Sequence, residues 1–421
     1  MTQEITTGGI FYYGLPIQVR GIFTMRDKVD RDDLQRAVDT AMPRFPYFCI
    51  RAVEKDGRYV QEYNDAPFVV LEREDPPAPG TAEVNGHMHI FGCWENKIYA
   101  DFFHGIGDGR GTVPTLVESV LYYYCKFHYD EGLQVPGVIL ADSEPAAGEY
   151  EDPFLYAKKP EKLPVSFQRV TESFAFPEPR VAPGEAQNVY TFNINQKEFM
   201  KYTKSVDGSP AAIAALFLCR AIDAVHPERT LPIVANMPVD IRSALGCDKT
   251  CQNCIDFLQL VYTTQMRDVP LDRQATGFRG QIFLQSDKEY LNERFYNYVQ
   301  EYRLATAAPT VAEKHERLLP SLPVVPGSCV SYMGQLSMGD VDRYRLNFRG
   351  AFDATGFGIV IEIYCAGDTL SVCLMNGLQT DAYIQAFIRE LDAAGLNYEM
   401  EEPFRNPARP LPDCFQKDGT K

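Results

Sequence analysis

A histidine and an aspartate four positions apart, His104 and Asp108, are the residues of this sequence best placed to do chemistry. They directly follow the apolar run Ile98–Phe103, which has the length and composition of a buried strand. Thr112 then has the character of a helix N-cap, so the pair occupies a short strand-to-helix loop. Imidazole has an unperturbed pKa close to neutral pH, and a histidine held at a strand end is therefore a candidate general base.

The loop pattern His104-x-x-x-Asp108-Gly109 resembles the HxxxDG signature of the chloramphenicol-acetyltransferase-like superfamily. This superfamily includes alcohol O-acyltransferases and the condensation domains of peptide synthetases. Many condensation domains carry a second histidine directly before the catalytic one, where this chain has Phe103, and this difference favours the free-standing acyltransferases. The resemblance implies an α/β (α+β) fold of two similar halves, each a mixed sheet with helices, which meet at a central cleft.

The resemblance also implies roles for the two residues of the loop. His104 would be the catalytic base, whereas Asp108 would point away from substrate and pair with an arginine that braces the loop. Arg242, in the segment Pro238–Arg242, resembles the position where that arginine occurs. A guanidinium can bind both oxygens of a carboxylate, which makes such a pair geometrically specific. The alternatives are that Arg242 is a solvated loop charge and that His104 and Asp108 only cap local backbone.

Three further residues complete the predicted site. Ser331 lies where family members place a short polar residue at the cleft, and its hydroxyl is a candidate donor to a developing oxyanion; the alternative is an ordinary strand serine. Asn253 resembles the asparagine of a family loop that ends in a Gly-Asn pair, although the glycine is absent here. Gly109, together with Gly105 and Gly107, suits a loop that requires positive φ or close backbone approach.

Two clusters of metal-binding residue types are interpreted as structural. Cys247-x3-Cys251-x2-Cys254 has the spacing of the iron–sulfur motif in radical S-adenosylmethionine enzymes. It lies mid-chain among polar residues, however, and we interpret it as plain cysteines in a solvated surface turn. His87-x-His89 has no evident third ligand. The sequence therefore predicts no metal and no permanently bound cofactor.

Composition narrows the classes of partner and compartment. The 421 residues carry a formal net charge of −16, which argues against a nucleic-acid or anionic-membrane surface and requires a local basic patch for any polyanionic ligand. The 11 cysteines are scattered through apolar segments and are expected to be reduced. No positive, then apolar, leader pattern opens the chain, and no apolar run reaches the roughly 18 residues of a membrane span. We therefore expect a cytoplasmic protein without a membrane span.

Three regions are predicted along the chain. Residues 1–135 form an N-terminal half that carries the HxxxDG motif, residues 136–187 a Pro-rich crossover, and residues 188–421 a C-terminal half. Within them, a helix is expected to begin near Asp30, Asp56-Gly57 predicts a hairpin, and residues 281–302 are expected to form one polar, aromatic helix.

The sequence thus predicts an acyltransferase that resembles alcohol O-acetyltransferases. Its donor would be an acyl thioester, with acyl-CoA the first expectation and an acyl carrier protein thioester the alternative, and its acceptor a small-molecule hydroxyl or amine. His104 would take the acceptor proton without an acyl-enzyme. Two other classes stay open: a non-catalytic, condensation-like binding protein, and an iron–sulfur radical enzyme that uses Cys247, Cys251 and Cys254. Acyl chain length, acceptor identity and oligomeric state are left open.

Overall fold

The structure, a computed structural model, describes residues 2–129, 132–159, 161, 167–182, 185–321, 324–354, 356–407 and 409–415. The first part of the chain alternates strands with short helices. Its elements are β1 (Thr2–Glu4), α1 (Gly9–Tyr13), β2 (Gln18–Met25), α2 (Arg31–Ala41), β3 (Ile50–Lys55), β4 (Arg58–Tyr63), β5 (Leu71–Glu72), β6 (His89–Trp94), β7 (Lys97–Phe103), α3 (Gly109–Thr112), a π-helical turn (Val113–Val117) and α4 (Glu118–Tyr129).

The second part begins after a segment that, where described, contains little regular structure beyond the short turn Pro153–Tyr156. Its elements are β8 (Gln187–Asn195), α5 (Gln196–Ser205), α6 (Pro210–Val225), β9 (Ile233–Asp240), α7 (Arg242–Leu245), β10 (Ile255–Tyr262), α8 (Leu271–Gln285), α9 (Lys288–Thr306), α10 (Val311–Leu318), β11 (Ser328–Gln335), β12 (Arg345–Phe352), β13 (Ile359–Ala366), β14 (Thr369–Asn376), α11 (Ala382–Ala393), β15 (Tyr398–Met400) and β16 (Phe404–Asn406).

The strands form two main sheets, each the centre of one lobe. The first-lobe sheet has the order β12-β2-β7-β6-β5, and a small sheet β1-β4-β3 accompanies it. The second-lobe sheet has the order β10-β9-β11-β13-β14-β8-β15, with β16 also paired to β8. Both main sheets are mixed, because β5 pairs parallel to β6 in one and β11 pairs parallel to β9 and β13 in the other.

Strand β12 belongs to the first-lobe sheet although it follows a second-lobe strand in the chain. It pairs antiparallel with β2, and Gly350 lies opposite Gly21. Helix α9 also follows second-lobe strands in the chain but packs on the first lobe, since its residues Phe295 and Val299 belong to the first-lobe hydrophobic core. Two elements from the second part of the chain therefore complete the first lobe.

Local signals explain several of these elements. Asp30 caps α2 by accepting hydrogen bonds from the backbone N–H groups of Asp32 and Asp33, which confirms the predicted helix start. Asp56 and Gly57 both have positive φ and connect β3 to β4, which confirms the predicted hairpin.

The single helix predicted over residues 281–302 is wrong. The chain forms α8 and α9 instead, because Asp287 caps the second helix by accepting a hydrogen bond from the N–H of Tyr290.

The segment predicted as a crossover contacts both lobes where it is described. Glu149 forms an ion pair with Arg44 of the first lobe, and the backbone N–H of Val170 donates to Gln259 on β10. Residues 160, 162–166 and 183–184 of the predicted crossover, with three of its prolines, lie outside the described residues.

Within the described residues, no single helix is both long and apolar enough to cross a membrane. Helices α5 and α6 meet those criteria only when taken together, and they are bent by 76° at their junction.

Candidate active site

The loop after β7 holds His104 and Asp108 between a strand end and a helix start. β7 ends at Phe103, a short turn spans His104–Ile106, and α3 begins at Gly109. Asp108 is the N-cap, because its Oδ1 accepts a hydrogen bond of 2.7 Å from the backbone N–H of Gly111. The helix thus begins earlier than the N-cap predicted at Thr112.

His104 is fixed in one tautomer by Asn253 of the second lobe. The side-chain amide of Asn253 donates to the backbone oxygen of His104 at 2.7 Å, which orients its Oδ1 towards the imidazole. That Oδ1 lies 3.0 Å from His104 Nδ1 and can only accept, so Nδ1 carries the proton. The other ring nitrogen, Nε2, is left with a free lone pair, which is the state that a general base requires.

Packing and burial keep His104 neutral. The Phe11 ring stacks on the imidazole with centroids 4.0 Å apart. Burial lowers the pKa of His104 below its ordinary value, although the negative charge of Asp108 and the bond to Asn253 act in the opposite direction. The imidazole is therefore in its basic form at neutral pH.

Arg242 lies against Asp108, and the two side chains are almost completely buried. Arg242 Nη2 donates to Asp108 Oδ1 at 2.8 Å and to Oδ2 at 2.9 Å. The backbone N–H of Cys254 donates to the same carboxylate at 2.8 Å. Burial by itself would lower the pKa of Arg242, but the charges of Asp108 and Asp240 raise it above its ordinary value. Arg242 is therefore charged, and its bonds to Asp108 tie the loop of the first lobe to the second.

Arg242 also holds the chain that follows it. Its Nε donates to the backbone oxygen of Thr250, and Nη2 donates to that of Gln252. These bonds place Asn253 next to His104, so one guanidinium positions both the aspartate loop and the asparagine that orients the base.

Cys247 and residues 250–254 of the cysteine loop are buried, whereas Gly246, Asp248 and Lys249 are exposed, so the prediction of a solvated surface turn is wrong for the three cysteines. Buried polar groups of the loop are bonded to the segment before Pro153: the N–H of Cys251 donates to the oxygen of Glu149, and Thr250 Oγ1 donates to that of Glu151. Backbone groups of this neighbouring segment satisfy the buried polar side chains Thr250 and Gln252, whereas Asp248 and Lys249 face solvent.

The three thiols do not fit an iron–sulfur cluster. Cys247 and Cys254 have sulfurs 3.7 Å apart, whereas Cys251 Sγ lies 3.9 Å from the hydroxyl of Tyr47. Burial raises the pKa of Cys251 to about 11, so it is a thiol at neutral pH. Among the residues described, no group of three or more His, Cys, Asp or Glu side chains is arranged to hold a metal ion.

His87 and His89 have ordinary structural surroundings. His87 is bonded to Asn64 and to the backbone oxygen of Ala66. His89 is buried among aromatic rings, and this burial lowers its pKa to about 3, so that it is neutral.

Close backbone approach explains the glycines better than positive φ, since Gly105, Gly107 and Gly109 all lie outside the positive-φ region. A Cβ at Gly111, which the sequence did not single out, would lie 2.2 Å from the backbone oxygen of Cys251. A Cβ at Gly109 would meet only the flexible end of Met333. Glycine is thus required at Gly111 by the backbone of the cysteine loop, and at Gly105 because a Cβ there would lie 2.4 Å from the buried Phe103 ring.

Ser331 lies at the cleft on β11, and its hydroxyl has a partner. It donates to Glu362 Oε1 on the adjacent strand β13 at 3.1 Å. Burial raises the pKa of Glu362 to about 7, and the bond from Ser331 acts against this increase. The sequence analysis did not identify Glu362, although a single carboxyl in the apolar strand Ile359–Ala366 is a signal that could have found it.

Two neighbouring cavities share three lining residues, Phe11, Ile255 and Phe257. The larger, about 340 Å³, is lined by His104, Asp108, Gly109, Ser331 and Glu362 among many apolar side chains. The smaller, about 250 Å³, is lined by Asn253 and by residues of α9. Arg242 lines neither, since it lies behind the loop. The arrangement gives a neutral, oriented imidazole access to an apolar cavity between the lobes.

Comparisons with known proteins place this geometry in a fold family. No protein-family model matches the sequence, and a search of curated proteins finds no match. Solved structures do match. Polyketide synthase associated protein 5 from Mycobacterium tuberculosis superposes with a TM-score of 0.64 at 11% identity, over 93% of this chain and 98% of that one.

Two further solved structures agree over most of the chain. TRI101 of F. sporotrichioides, crystallised with coenzyme A and T-2, gives a TM-score of 0.59 at 10% identity and covers 94% of this chain and 99% of that one. The epimerization domain from the third module of tyrocidine synthetase B gives 0.57 at 12% identity and covers 90% of each chain. The chain therefore has the two-lobed, condensation-like fold of these structures, which confirms the predicted fold class.

Proposed function

We propose that the protein is an acyltransferase that moves an acyl group from a thioester to a hydroxyl or amine, with His104 as the general base. The observation that carries the proposal is the Nδ1–H tautomer imposed by Asn253, which leaves Nε2 free to accept a proton. The fold supports it, since the solved neighbour TRI101 was crystallised with coenzyme A.

The reaction needs one proton to move twice. The acceptor O–H or N–H gives its proton to Nε2 while its heteroatom forms a bond to the thioester carbonyl carbon. The tetrahedral oxyanion then re-forms the carbonyl and breaks the C–S bond, and Nε2 returns the proton to the departing sulfur. Asn253 Oδ1 keeps accepting from Nδ1–H throughout, so it stabilises the imidazolium and holds the ring in place.

The other predicted residues support this step from a distance. Asp108 and Arg242 would brace the loop without exchanging protons, because their hydrogen bonds are directed to each other and to backbone groups. Ser331 remains our candidate oxyanion donor, and its hydroxyl would have to turn away from Glu362 to serve as one.

The donor is proposed to be acyl-CoA, with a carrier-protein thioester as the second source of the same chemistry. His104 lines only the larger of the two cavities, which is therefore the proposed place where donor and acceptor meet. No resident cofactor or metal is needed in this scheme, since the thioester supplies the activated acyl group.

A thiol-release assay tests the proposal. The purified protein is incubated with acyl-CoA donors of increasing length and with alcohols and amines, and free thiol is detected. His104→Ala should lower kcat/KM by about 10²–10⁴-fold, which is the usual contribution of a positioned base. His128→Ala is the matched control, because His128 pairs with Asp33 and does not line either cavity.

Near-parental transfer by a folded His104→Ala variant would refute the mechanism. If the parent protein itself releases no thiol with any donor and acceptor pair, the non-catalytic binding protein becomes the better interpretation.

A further inference from the structure

Glu362 is a buried carboxyl group in an otherwise apolar strand, and it faces the cleft. Side chains alternate along β13, so that Ile361 and Ile363 pack into the core of the second lobe beneath the sheet. Glu362 lies on the opposite face and is 8% exposed. Its Cγ would lie 3.4 Å from a Cβ at Gly350 of β12, so the side chain packs against the first-lobe strand β12.

The hydrogen-bonding capacity of this carboxyl group is mostly unused. An ionised carboxylate can accept about four hydrogen bonds, yet Glu362 receives only the one from Ser331 within the described residues. Neither Lys, Arg nor His forms an ion pair with it in the part of the chain that the structure describes. Arg20, which lines the same cavity, is already paired with Asp101 and Asp75.

The walls of the cavity that Glu362 lines are mostly apolar. They include Phe23, Phe102, Met237, Phe348 and Phe352. A carboxyl group in such surroundings is costly to ionise unless a cation or several donors accompany it. The cavity therefore complements a molecule with an apolar body and one cationic, hydrogen-bond-donating group.

We propose that Glu362 and Ser331 form a recognition subsite for an ammonium group carried by an apolar acceptor, separate from the group that is acylated at His104. That the bound ammonium compound is the acyl acceptor rests on the proposed function, whereas the binding of an apolar ammonium compound at Glu362 does not. Ser331 holds one carboxylate oxygen, and the ammonium donates to the other, so that Ser331 does not act as the oxyanion donor when this subsite is occupied.

The charged side chains that line the same cavity are Arg20, Asp108, Arg110 and Asp240, and within the described residues none of them forms a hydrogen bond or an ion pair with Glu362. Cys329, Tyr364 and Cys373 are the groups whose titration Glu362 affects, and burial raises the pKa of all three. They are neutral near pH 7, so they neither supply nor repel a cation. Since the pKa of Glu362 is itself about 7, a bound ammonium would shift this carboxyl group fully to its charged form.

Isothermal titration calorimetry with hexylammonium and with hexan-1-ol tests the subsite without any turnover. The parent protein should bind hexylammonium at least about tenfold more tightly, because a charge-assisted hydrogen bond adds to the shared apolar contact. Glu362→Gln should remove this preference while keeping the shape of the side chain. Glu118→Gln is the matched control, because burial also raises the pKa of Glu118 to about 7 and it does not line the cavity.

The proposal is overturned if the parent protein shows no saturable binding of hexylammonium or no preference for it, or if Glu362→Gln retains the preference. If Glu362→Gln does not fold, the parent protein decides the question by pH. Lowering the pH from about 8 to about 6 protonates Glu362 and should weaken hexylammonium about tenfold with hexan-1-ol unchanged. Equal behaviour of the two probes would overturn the subsite.

The two proposals fail in different ways. If hexylammonium binds as expected but no thioester and acceptor pair reacts, the subsite stands and the acyltransferase proposal fails. If acyl transfer occurs but Glu362→Gln leaves the KM ratio of 6-aminohexan-1-ol to hexan-1-ol unchanged, the subsite fails and the acyltransferase proposal stands.

Discussion

Breaking the Asp108–Arg242 pair should lower stability and activity together. The side chains are 4% and 6% exposed, and removing one partner of a buried ion pair costs about 3–5 kcal/mol because the other charge stays buried. Asp108→Asn keeps one accepting oxygen, but its amide N–H₂ replaces the other oxygen, which accepts from Arg242 and from a backbone N–H. We therefore expect the full cost.

This cost can be converted into a melting temperature. An unfolding entropy of about 2.1 cal/mol/K per residue over 421 residues gives about 0.9 kcal/mol/K. A loss of about 3–5 kcal/mol then corresponds to about 3–6 °C. The loop also carries His104, and a displacement of about 1 Å at a reacting group costs about 10²-fold in rate, so kcat should fall by that order in protein that is still folded.

Two comparisons separate a brace from a general loss of packing. In a double-mutant cycle, Arg242→Gln added to Asp108→Asn should cost less than the sum of the single changes, because the two residues share one interaction. Asp223→Asn breaks another buried pair, whose Arg229 Nε–Asp223 Oδ1 distance is 2.8 Å, and it lies outside the cavities. It should lower the melting temperature comparably and leave acyl transfer intact.

Differential scanning calorimetry and the thiol-release assay measure the two effects. The reasoning is refuted if Asp108→Asn melts like the parent protein, or if Asp223→Asn loses as much activity at a temperature where both variants are folded.

Two further predictions concern acid–base and thiol chemistry. In a pH profile of kcat/KM, the loss of activity on the acid side should have its midpoint below pH 6.5, because burial lowers the pKa of His104 and activity is lost when the imidazole is protonated. Asn253→Asp should move this midpoint to higher pH, since a carboxylate 3.0 Å from Nδ1 favours the imidazolium. If the midpoint does not move, a group other than His104 titrates there. Cys251→Ser and Cys254→Ser should leave acyl transfer largely unchanged, because the three thiols do not form a metal-binding group. For the same reason, elemental analysis of the parent protein should find no stoichiometric iron or zinc. Stoichiometric iron in the parent protein that is lost in either variant would contradict this prediction.

The loop that carries His104 and Asp108 could be predicted because the residues that indicate it are close together in the sequence. An apolar run, a histidine, an aspartate and a glycine occur within about a dozen consecutive residues, and the strand-to-helix transition follows from their order. Arg242 and Asn253 lie more than a hundred residues away. They were identified through the resemblance to a family, since no pattern within one sequence links positions so far apart.

The cysteine loop shows where composition misleads. Asp248, Lys249, Thr250 and Gln252 have the polarity of a surface turn, but Thr250 and Gln252 are buried. Their partners are backbone oxygens of Glu151 and Tyr150. A polar residue that is satisfied by a distant segment looks the same in the sequence as one that is satisfied by water, and only the tertiary contact distinguishes them.

Glu362 presents the opposite case, because the sequence itself indicates its position. This indication becomes visible once the alternation of side chains along a strand is considered. In Ile359-Val-Ile-Glu-Ile-Tyr-Cys365 every other residue around the glutamate is an isoleucine, which places those isoleucines on one face and the carboxyl group on the other. A buried strand tolerates a carboxyl group only where that second face meets something polar. In this fold the second face meets β12 and the cleft, so the one position where the strand departs from an apolar pattern is also a position that lines the cavity with His104. The substitution that tests the subsite, Glu362→Gln, therefore also tests whether a lone charge in an apolar strand identifies a ligand-facing position.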